Sequence, residues 1–238
     1  EKDVYLPDLQ VRLVSRGGVT VCGKGGHNGE NHNHNDVGSL IVYADGEPVI
    51  IDIGNLVYTA RTFSKQRYEL FNTRSRYHTV PEIGGYEQAP GREYTARYVQ
   101  KTPSGLRLDL AGAYPAEAGV LSCVRTWQVS DAGDVDLSDH VELTEEREVL
   151  FALILRNPPV FASPSCFSSG GLRFRVEGMV GHPSEQDSGQ KSEYESTIEA
   201  IPVEDARLAR SYPGTLYRLA FRSPRASRHV MTLHMTKA

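Results

Sequence analysis

The clearest indication of the fold is the segment Leu40-Ile41-Val42-Tyr43-Ala44-Asp45-Gly46-Glu47-Pro48-Val49-Ile50-Ile51. Two runs of β-branched and other apolar residues flank the pair Asp45-Gly46. An Asp-Gly pair between such runs favours a two-residue turn, because both positions of that turn need positive φ angles. The segment therefore predicts a β-hairpin.

Short runs of the same kind recur along the chain, separated by Gly, Pro, Asp and Ser. In the segment 106–110, Leu alternates with Arg and Asp, which is typical of an antiparallel sheet with one face in solvent. The other predicted strands are 11–15, 19–23, 94–101, 106–111, 121–130, 135–143, 149–156, 172–177, 216–222 and 229–235. Short helices are predicted only at 63–71 and 203–210, and a polar loop or hairpin tip at 181–192. This pattern predicts an all-β fold, a multi-stranded antiparallel β-sandwich.

Length and composition limit the class of protein. The chain has 238 residues, of which 39% are hydrophobic and 24% charged, as in ordinary globular proteins. It shows no internal repeat and no linker, so residues 1–238 are interpreted as one domain. The net charge of −4 argues against a strongly basic nucleic-acid-binding protein, and no apolar run is long enough to span a membrane.

The N-terminus and the cysteines carry further information. The chain begins Glu1-Lys2 without a Met or a signal peptide, so we expect a mature product or a piece of a longer protein. Its cysteines, Cys22, Cys123 and Cys166, are odd in number and widely spaced. This spacing favours buried free thiols, with a single disulfide as the alternative.

The segment from Gly25 to Asp36 is rich in histidine, asparagine and glycine, and it contains three of the eight histidines, His27, His32 and His34. Such a segment cannot build an apolar core, but imidazoles, amides and carboxylates bind metals and transfer protons. If His32-Asn33-His34 is extended, both imidazoles project from one face. We therefore place the candidate functional site here.

Further metal ligands must come from other segments. Asp52 follows the apolar run that ends at Ile51, an unfavourable place for a carboxylate that is not paired or ligated. His78 precedes the β-branched pair at 79–80. Two histidines and one aspartate with an open position are a common zinc site, either catalytic or structural. The alternatives are a capping role for Asp52 and a surface position for His78.

Strand geometry alone does not bring these groups together. A two-residue turn at Asp45-Gly46 would set Asp52 opposite Ser39, five residues after His34. A bend or bulge near Asp36 is therefore required. Asp36 itself is a competing ligand.

Three segments resemble the heparinase II/III-like family of polysaccharide lyases. They are residues 24–36, the hairpin that continues into Asp52-Ile53-Gly54, and residues 72–81 with their continuation at 83–91. The resemblance extends from about residue 17 to residue 97, and beyond it only the rhythm of strands agrees. It implies a C-terminal β-sandwich that packs against an N-terminal α/α toroid, which is missing from this chain. It also implies a periplasmic or secreted protein.

The resemblance assigns roles by position. His34, Asp52 and His78 match the zinc ligands, and His32 matches the catalytic histidine. The family motif usually has Asn after the third ligand, where this chain has Thr79.

The implied reaction is β-elimination in a polysaccharide that contains uronic acid. It removes the C5 proton beside the carboxylate and expels the glycosidic oxygen at C4, so it needs an acid, a base and neutralisation of the carboxylate. His32 is expected to act as acid or base, while zinc on His34 holds the segment in place. The other catalytic groups of the family lie on the toroid, so this chain alone is predicted to be inactive.

A basic band accompanies the candidate site. Between residues 61 and 76 the sequence has five basic residues, Arg61, Lys65, Arg67, Arg74 and Arg76, and one acid, Glu69. Arginine forks onto carboxylate or sulfate, so the band suits an acidic polysaccharide. The predicted substrate-binding residues are Tyr58, Arg61, Tyr68, Arg74 and Arg76. The alternatives are a solvated face for the arginines and packing for the tyrosines.

Two other functions compete with a lyase. Gly26 followed by His32-Asn33-His34 reproduces the start of a cupin motif, but Gly38 and Ser39 stand where its glutamate is expected; iron or manganese would favour this class and zinc the lyase. The second competitor is a non-catalytic carbohydrate-binding or scaffolding module with a structural metal. Such modules usually present exposed aromatic residues, whereas the only tryptophan, Trp127, lies in an alternating strand that is expected to bury it.

Overall fold

Strands dominate the computed structural model, which describes residues 2–181, 190–191 and 194–238. The strands are β1 Lys2–Leu6, β2 Val11–Arg16, β3 Val19–Lys24, β4 His27–Asn28, β5 Leu40–Ala44, β6 Glu47–Ile50, β7 Pro81–Ile83, β8 Gly91–Thr95, β9 Arg97–Lys101, β10 Gly105–Asp109, β11 Val120–Val129, β12 Val135–Leu155, β13 Val160–Ser163, β14 Cys166–Ser169, β15 Leu172–Gly181, β16 Gln190–Lys191, β17 Glu195–Pro202 and β18 Thr215–Lys237. One short α-helix, α1, spans Leu208–Ser211. Single 3-10 turns lie at Ala60–Phe63, Lys65–Glu69, Phe71–Thr73, Ser75–Tyr77, Ala111–Ala113 and Ala116–Ala118.

The strands pair antiparallel throughout the described residues. The main sheet runs in the order β1-β2-β3-β5-β6-β12-β18-β15-β14-β13. The strands β7, β9, β10, β11, β16 and β17 join this path from the side, and β4 and β8 form a separate pair. The fold class predicted from the sequence, an antiparallel β-sandwich, is confirmed.

Two very long strands connect the layers. The sequence predicts two strands at 135–143 and 149–156, but they form the single strand β12, and the predictions 216–222 and 229–235 likewise merge into β18. The register of β12 against β18 shifts between Glu142 and Arg147 and again before Val149. Such irregularities bend a strand without ending it, so the charged segment between the two apolar runs stays in the sheet.

The apolar core lies between facing layers. Trp127 on β11 is 1% exposed, as its alternating strand predicted. Its indole packs against Gly23 on β3, where a Cβ atom would lie 2.5 Å from the indole nitrogen. Only glycine allows the two layers to approach this closely at that point. A second, smaller apolar cluster includes Ile51, Ile53 and Ile154.

The predicted hairpin is confirmed in its turn but not in its register. Asp45 and Gly46 have φ angles of +50° and +87°, as a two-residue turn requires. Tyr43 faces Pro48 but Val42 faces Ile50, so Val49 is an extra residue on β6. This bulge shifts the pairing by one position, and the predicted alignment of Asp52 with Ser39 is wrong.

Other local predictions also need correction. The predicted strand 94–101 is broken at Ala96, whose N–H donates to the Gly26 carbonyl (2.9 Å) and not to the sheet. The predicted helix 63–71 is a series of 3-10 turns, because the segment has no helical apolar periodicity and Ser64 accepts the Gln66 N–H (3.1 Å) to start a new turn. The predicted helix 203–210 is reduced to α1, and the predicted loop 181–192 lies almost entirely outside the described residues.

The cysteines are all free thiols, in agreement with the main prediction and against a disulfide. Cys123 is fully buried, and burial raises the pKa of its thiol well above the usual range. Cys22 and Cys166 are half-buried, so the prediction of burial is wrong for these two.

Candidate metal centre

Three side chains from separate segments converge beside the end of β6. His34 lies in the connection between β4 and β5, Asp52 follows β6, and His78 follows the 3-10 turn Ser75–Tyr77. One nitrogen or oxygen from each of them lies within 4.8 Å of those of the other two. The Nδ1 atom of His78 lies 2.8 Å from Asp52 Oδ2, and the Nδ1 atom of His34 lies 3.9 Å from Asp52 Oδ1.

Asn72 orients both imidazoles and was not recognised as a site residue from the residue pattern. Its backbone oxygen lies 3.0 Å from His78 Nε2, and its side-chain nitrogen lies 3.4 Å from His34 Nε2. A carbonyl oxygen only accepts, so His78 carries its hydrogen on Nε2 and turns Nδ1 towards Asp52. The Oδ1 atom of Asn72 is buried without a hydrogen-bond partner. Nothing in the local sequence distinguishes this asparagine from others in polar loops.

The electrostatics of the three groups are linked. Burial raises the pKa of Asp52. The charge of His78 and its hydrogen bond lower that pKa by a larger amount, so the net shift is downward. Burial lowers the pKa of His78, and Asp52 outweighs this effect and raises it. The pKa of His34 is lowered, first by burial and then by the neighbouring charge of His78. His34 is therefore the more readily neutral imidazole of the two.

The three residues fit a divalent transition metal by their chemistry. Two imidazole nitrogens and one carboxylate oxygen are ligands that Zn²⁺ accepts, and three protein ligands leave a fourth position open. The hydrogen bond from His78 Nε2 to a backbone carbonyl is the outer contact that metal-bound histidines usually make. Asp52 is 31% exposed on its side chain, so the group has an access path from solvent.

A buried arginine holds two of the ligand-bearing segments. Arg125 on β11 is 2% exposed and is bound to Asp139 through Nε (2.8 Å) and a terminal nitrogen (2.7 Å). Its other terminal nitrogen donates to the carbonyls of Gly38 and Thr79. Gly38 lies four residues after His34 and Thr79 directly follows His78. One side chain thus fixes both loops relative to the sheet.

The predicted bend near Asp36 is present. The N–H of Ser39 donates to the Asp36 carbonyl (2.9 Å), and Gly38 adopts a φ angle of +86° within this turn. The N–H of Asn35 donates to the carbonyl of Thr73 (2.9 Å), which draws the His34 segment towards the His78 segment. The bend, together with the bulge in the hairpin, brings the three side chains together.

Asp36 does not join the cluster, so the competing prediction that it is a ligand is wrong. Its Oδ1 atom lies 2.8 Å from Lys24 Nζ, and this ion pair is largely buried. Burial lowers the pKa of Lys24, but Asp36 outweighs it and raises that pKa.

His32 occupies a different environment from His34. The segment is not extended here, because His32 has a φ angle of +59°, and the prediction that both imidazoles project from one strand face is wrong. The His32 ring is exposed and stacks on Tyr58 with centroids 5.8 Å apart. Phe63 meets it edge-on at 6.1 Å and is itself 65% exposed. The residue pattern did not indicate Phe63 as a site residue.

The basic band is largely paired. Arg61 binds Glu69 (2.6 Å), Arg74 binds Glu87 and Arg76 binds Glu82 (2.9 Å). Within residues 61–76 the only acid is Glu69. The other two partners, Glu82 and Glu87, come from later in the chain, so the sequence count missed them. Tyr68 donates its hydroxyl to the side chain of Asn33 (3.0 Å), and Tyr58 is 39% exposed.

Arg67, another residue of the basic band, lies beside His34. It lines a small cavity together with His34, Tyr58 and Asn72. Its guanidinium donates to the backbone carbonyls of Asn33 and Thr62, and its Nε is buried without a partner. It therefore fixes the segment between His32 and His34.

Comparisons with known proteins show a shared fold. No family model and no curated protein match the sequence. Among solved structures, the heparan sulfate lyase HepC from Pedobacter heparinus matches with a TM-score of 0.68 and 12% identity, over 100% of this chain and 37% of that one. A heparinase III matches with a TM-score of 0.68 and 12% identity, over 99% of this chain and 36% of that one. The 4-alpha-glucanotransferase from Thermococcus litoralis matches with a TM-score of 0.53 and 12% identity, over 100% of this chain and 39% of that one.

These likenesses define a class of fold. The chain is a β-sandwich similar in structure to a domain-sized part of heparin-type lyases and of a glucanotransferase. It spans little more than a third of the length of the lyases that it matches. Within the described residues, none of the helices is long and apolar enough to cross a membrane.

Proposed function

We propose that this chain is the β-sandwich domain of a polysaccharide lyase that cleaves an acidic, uronic-acid-containing polysaccharide by β-elimination. The convergence of His34, Asp52 and His78, with an exposed histidine beside them, carries the proposal. The similarity in fold to a heparan sulfate lyase and a heparinase III supports it. The rest of the active site lies on a helical toroid domain outside this chain, in a periplasmic or secreted protein.

His32 is the proposed catalytic residue. Its imidazole is exposed, and the rings of Tyr58 and Phe63 restrict its orientation. There it can take up the C5 proton or deliver one to the leaving glycosidic oxygen. A positioned acid or base of this kind contributes about 10²–10⁴-fold to the rate.

Zn²⁺ is the proposed metal, with His34, Asp52 and His78 as its ligands. When bound, it would supply a rigid connection between three loop segments. Asn72 sets the orientation of the two imidazoles, and Arg67 holds the backbone of Asn33 between His32 and His34. The effect of these contacts is to present His32 at a fixed place beside the sugar.

The polyanionic substrate is proposed to bind along Tyr58, Arg61, Tyr68, Arg74 and Arg76. The three arginines exchange their glutamate partners for carboxylate or sulfate groups of the sugar, which they can bind through two parallel hydrogen bonds. Tyr58 offers an exposed ring to the sugar. The acids Glu69, Glu82 and Glu87 keep the arginines extended until the substrate arrives.

The central test is His32→Ala in the protein that carries this domain together with its helical partner. Turnover, followed by the ultraviolet absorbance of unsaturated uronate ends, is expected to fall by about 10²–10⁴-fold with metal content retained. His27→Ala is the matched control, because His27 lies in the same segment but away from the ligand group. Unchanged turnover in His32→Ala would reject the catalytic role.

The isolated chain is expected to show no substantial lyase activity, because the groups that neutralise the substrate carboxylate lie on the helical domain. The same absorbance assay with several uronic-acid polysaccharides tests this. Strong activity of the chain alone would show that the second half of the site is not needed.

A non-catalytic carbohydrate-binding module with a structural metal is the second candidate. Trp127 is buried, but Phe63 and Tyr58 are exposed beside His32, as a sugar-stacking surface requires. This candidate is favoured if Phe63→Ala loses sugar binding while His32→Ala leaves turnover unchanged. Metal analysis of the purified chain separates both from a cupin-type enzyme, for which iron or manganese is expected in place of zinc.

A further inference from the structure

A second polar cleft lies near the Ser75–Tyr77 turn, and neither the metal centre nor His32 lines it. It has a volume of about 390 Å³ and is formed by β7, the Gly84-Gly85 turn, the second half of β12, β17 and β18. A cleft of this size accommodates a small ligand or one charged unit of a larger one.

Three arginines line this cleft, Arg76, Arg218 and Arg222, against two acids, Glu82 and Glu148. Arg222 binds Glu148 (2.6 Å), whereas Arg76 (2.9 Å) and Arg218 (3.7 Å) share Glu82. The lining residues thus carry one positive charge more than negative charges. Two further acids on β17 flank the lining without being part of it: Glu195 pairs opposite Arg222 in the sheet, and Glu199 accepts the Tyr77 hydroxyl (3.2 Å).

Arg218 is the residue that calls for a ligand. It is 3% exposed, and its Nε donates to the Arg76 carbonyl (2.7 Å). The terminal nitrogen that faces Glu82 at 3.7 Å is buried, and at that distance it makes no hydrogen bond. A buried charged group with unused donors is costly, and unfilled donors of this kind commonly mark a bound ion or water. Burial and the positive charge of Arg76 lower the pKa of Arg218. A bound anion would stabilise the charged guanidinium and so offset this shift.

We propose that this cleft is a binding site for an oxyanion, either a carboxylate or a sulfate group. Arg222 and Arg76 are partly exposed and reach the ligand from solvent, while Arg218 forms the floor. Arginine suits such groups because its planar donors match two oxygens at once. Arg76 also belongs to the proposed polysaccharide-binding row, but Arg218 and Arg222 do not, and the inference requires neither lyase chemistry nor a metal.

The test uses the amide NMR signals of Gly84 and Gly85, which lie at the cleft. Sodium sulfate and sodium glucuronate are titrated separately, with sodium chloride at matched ionic strength as the reference. We expect saturable shifts of these two signals with one or both oxyanions and none with chloride. Saturation by sulfate alone assigns a sulfate site, and saturation by glucuronate alone assigns a carboxylate site.

Charge variants give effects of opposite sign. Arg222→Gln is expected to weaken oxyanion binding at least tenfold, because it removes a donor that is accessible to the ligand. Glu148→Gln is expected to strengthen binding, because it removes the acid that competes for Arg222. Arg175→Gln is the matched control, since Arg175 forms a similar exposed pair with Glu177 (2.6 Å) on β15.

Two results would overturn the proposal. One is the absence of saturable shifts at Gly84 and Gly85 in the native chain. The other is an equal response in Arg222→Gln and Arg175→Gln. Arg222 and Glu148 are both well exposed, so these variants leave the core intact and keep the test interpretable.

Discussion

Two of the ionic centres close to the core differ in how completely they are paired. Arg125 and Asp139 are 2% and 0% exposed, and four of the five N–H groups of the arginine have acceptors. In the group of His34, Asp52 and His78, the exposed fractions are 10%, 31% and 0%, and the His34 imidazole lies 3.9 Å from the carboxylate. A nearby amide oxygen, Asn72 Oδ1, has no partner.

We propose that the difference separates a structural centre from a functional one. Buried charges are tolerated when their hydrogen bonds are complete, as they nearly are around Arg125. The histidine group is incompletely paired and opens to solvent, so we propose that it accepts a cation in place of the proton between His78 and Asp52. The closed centre holds the loops in place, and in our proposal the open centre binds a metal in the geometry that results.

The largest expected effect is on the closed centre. Arg125→Met leaves Asp139 as an unpaired buried charge, and we expect a loss of about 3–5 kcal/mol in the free energy of unfolding. Urea denaturation measures it. Arg16→Met is the control, because Arg16 pairs with Asp131, whose side chain is 95% exposed, and a loss of only about 0–1 kcal/mol is expected. Equal losses in the two variants would contradict the comparison.

The open centre is expected to respond to metal. Zn²⁺ at about 100 times its Kd should raise the free energy of unfolding by about 2.7 kcal/mol. His34→Gln and Asp52→Asn should abolish this increment, while His234→Gln, which alters a half-exposed histidine paired with Asp136 (2.6 Å), should retain it. Thermal unfolding with and without zinc provides the measurement. A zinc response that survives in both site variants would place the metal elsewhere.

The pH dependence of this zinc response follows from His78. Asp52 raises its pKa, so in the metal-free chain their pairing stabilises the fold fully below about pH 6.5 and is lost as pH rises through the raised pKa. Zinc needs the neutral imidazole, so its increment should grow from pH 6 to pH 8. Because the pKa of His34 is lowered, the proton that competes with zinc is the one on His78. A zinc increment that is constant over this range would exclude His78 as a ligand.

The smallest expected effect concerns His32, which lies beside the open centre but outside it. Because its side chain is exposed, His32→Ala should change the free energy of unfolding by no more than about 0.5 kcal/mol and leave zinc binding intact. Urea denaturation and zinc titration check this. A large loss of stability would mean that the Tyr58 and Phe63 rings depend on His32, and would make it a structural residue.

The residue pattern was sufficient for the fold class. With the family resemblance it also indicated that His34, Asp52 and His78 lie together, as they do in the structure, but not the contacts that assemble them. The turn at Asp45-Gly46 and the buried Trp127 follow from local patterns. The bulge at Val49 leaves no signal in the residues themselves, because it depends on how β6 meets its neighbours. Arg125 and Asn72 were missed for the same reason, since their partners lie far away along the chain.

For the basic band, the residue pattern indicated more than the structure shows. Counting charges over residues 61–76 suggested a strongly positive surface, but ion pairs depend on spatial neighbours. Glu82 and Glu87 neutralise Arg76 and Arg74 from outside the counted window. Glu82 also lines the cleft around Arg218, which no local motif indicates.

The pairing of β12 with β18 has a consequence for the order of folding. Leu155 pairs with Tyr217 and Val135 with Met235, positions 62 and 100 residues apart, and contacts at such separation form slowly. The metal-ligand segments rest on this late structure, because Ile154 of β12 accepts the N–H of Ile51 (2.8 Å) and donates its own N–H to the hydroxyl of Thr79 (3.3 Å). We therefore expect zinc to enter after the rate-limiting step of folding, so that it slows unfolding and leaves the refolding rate unchanged.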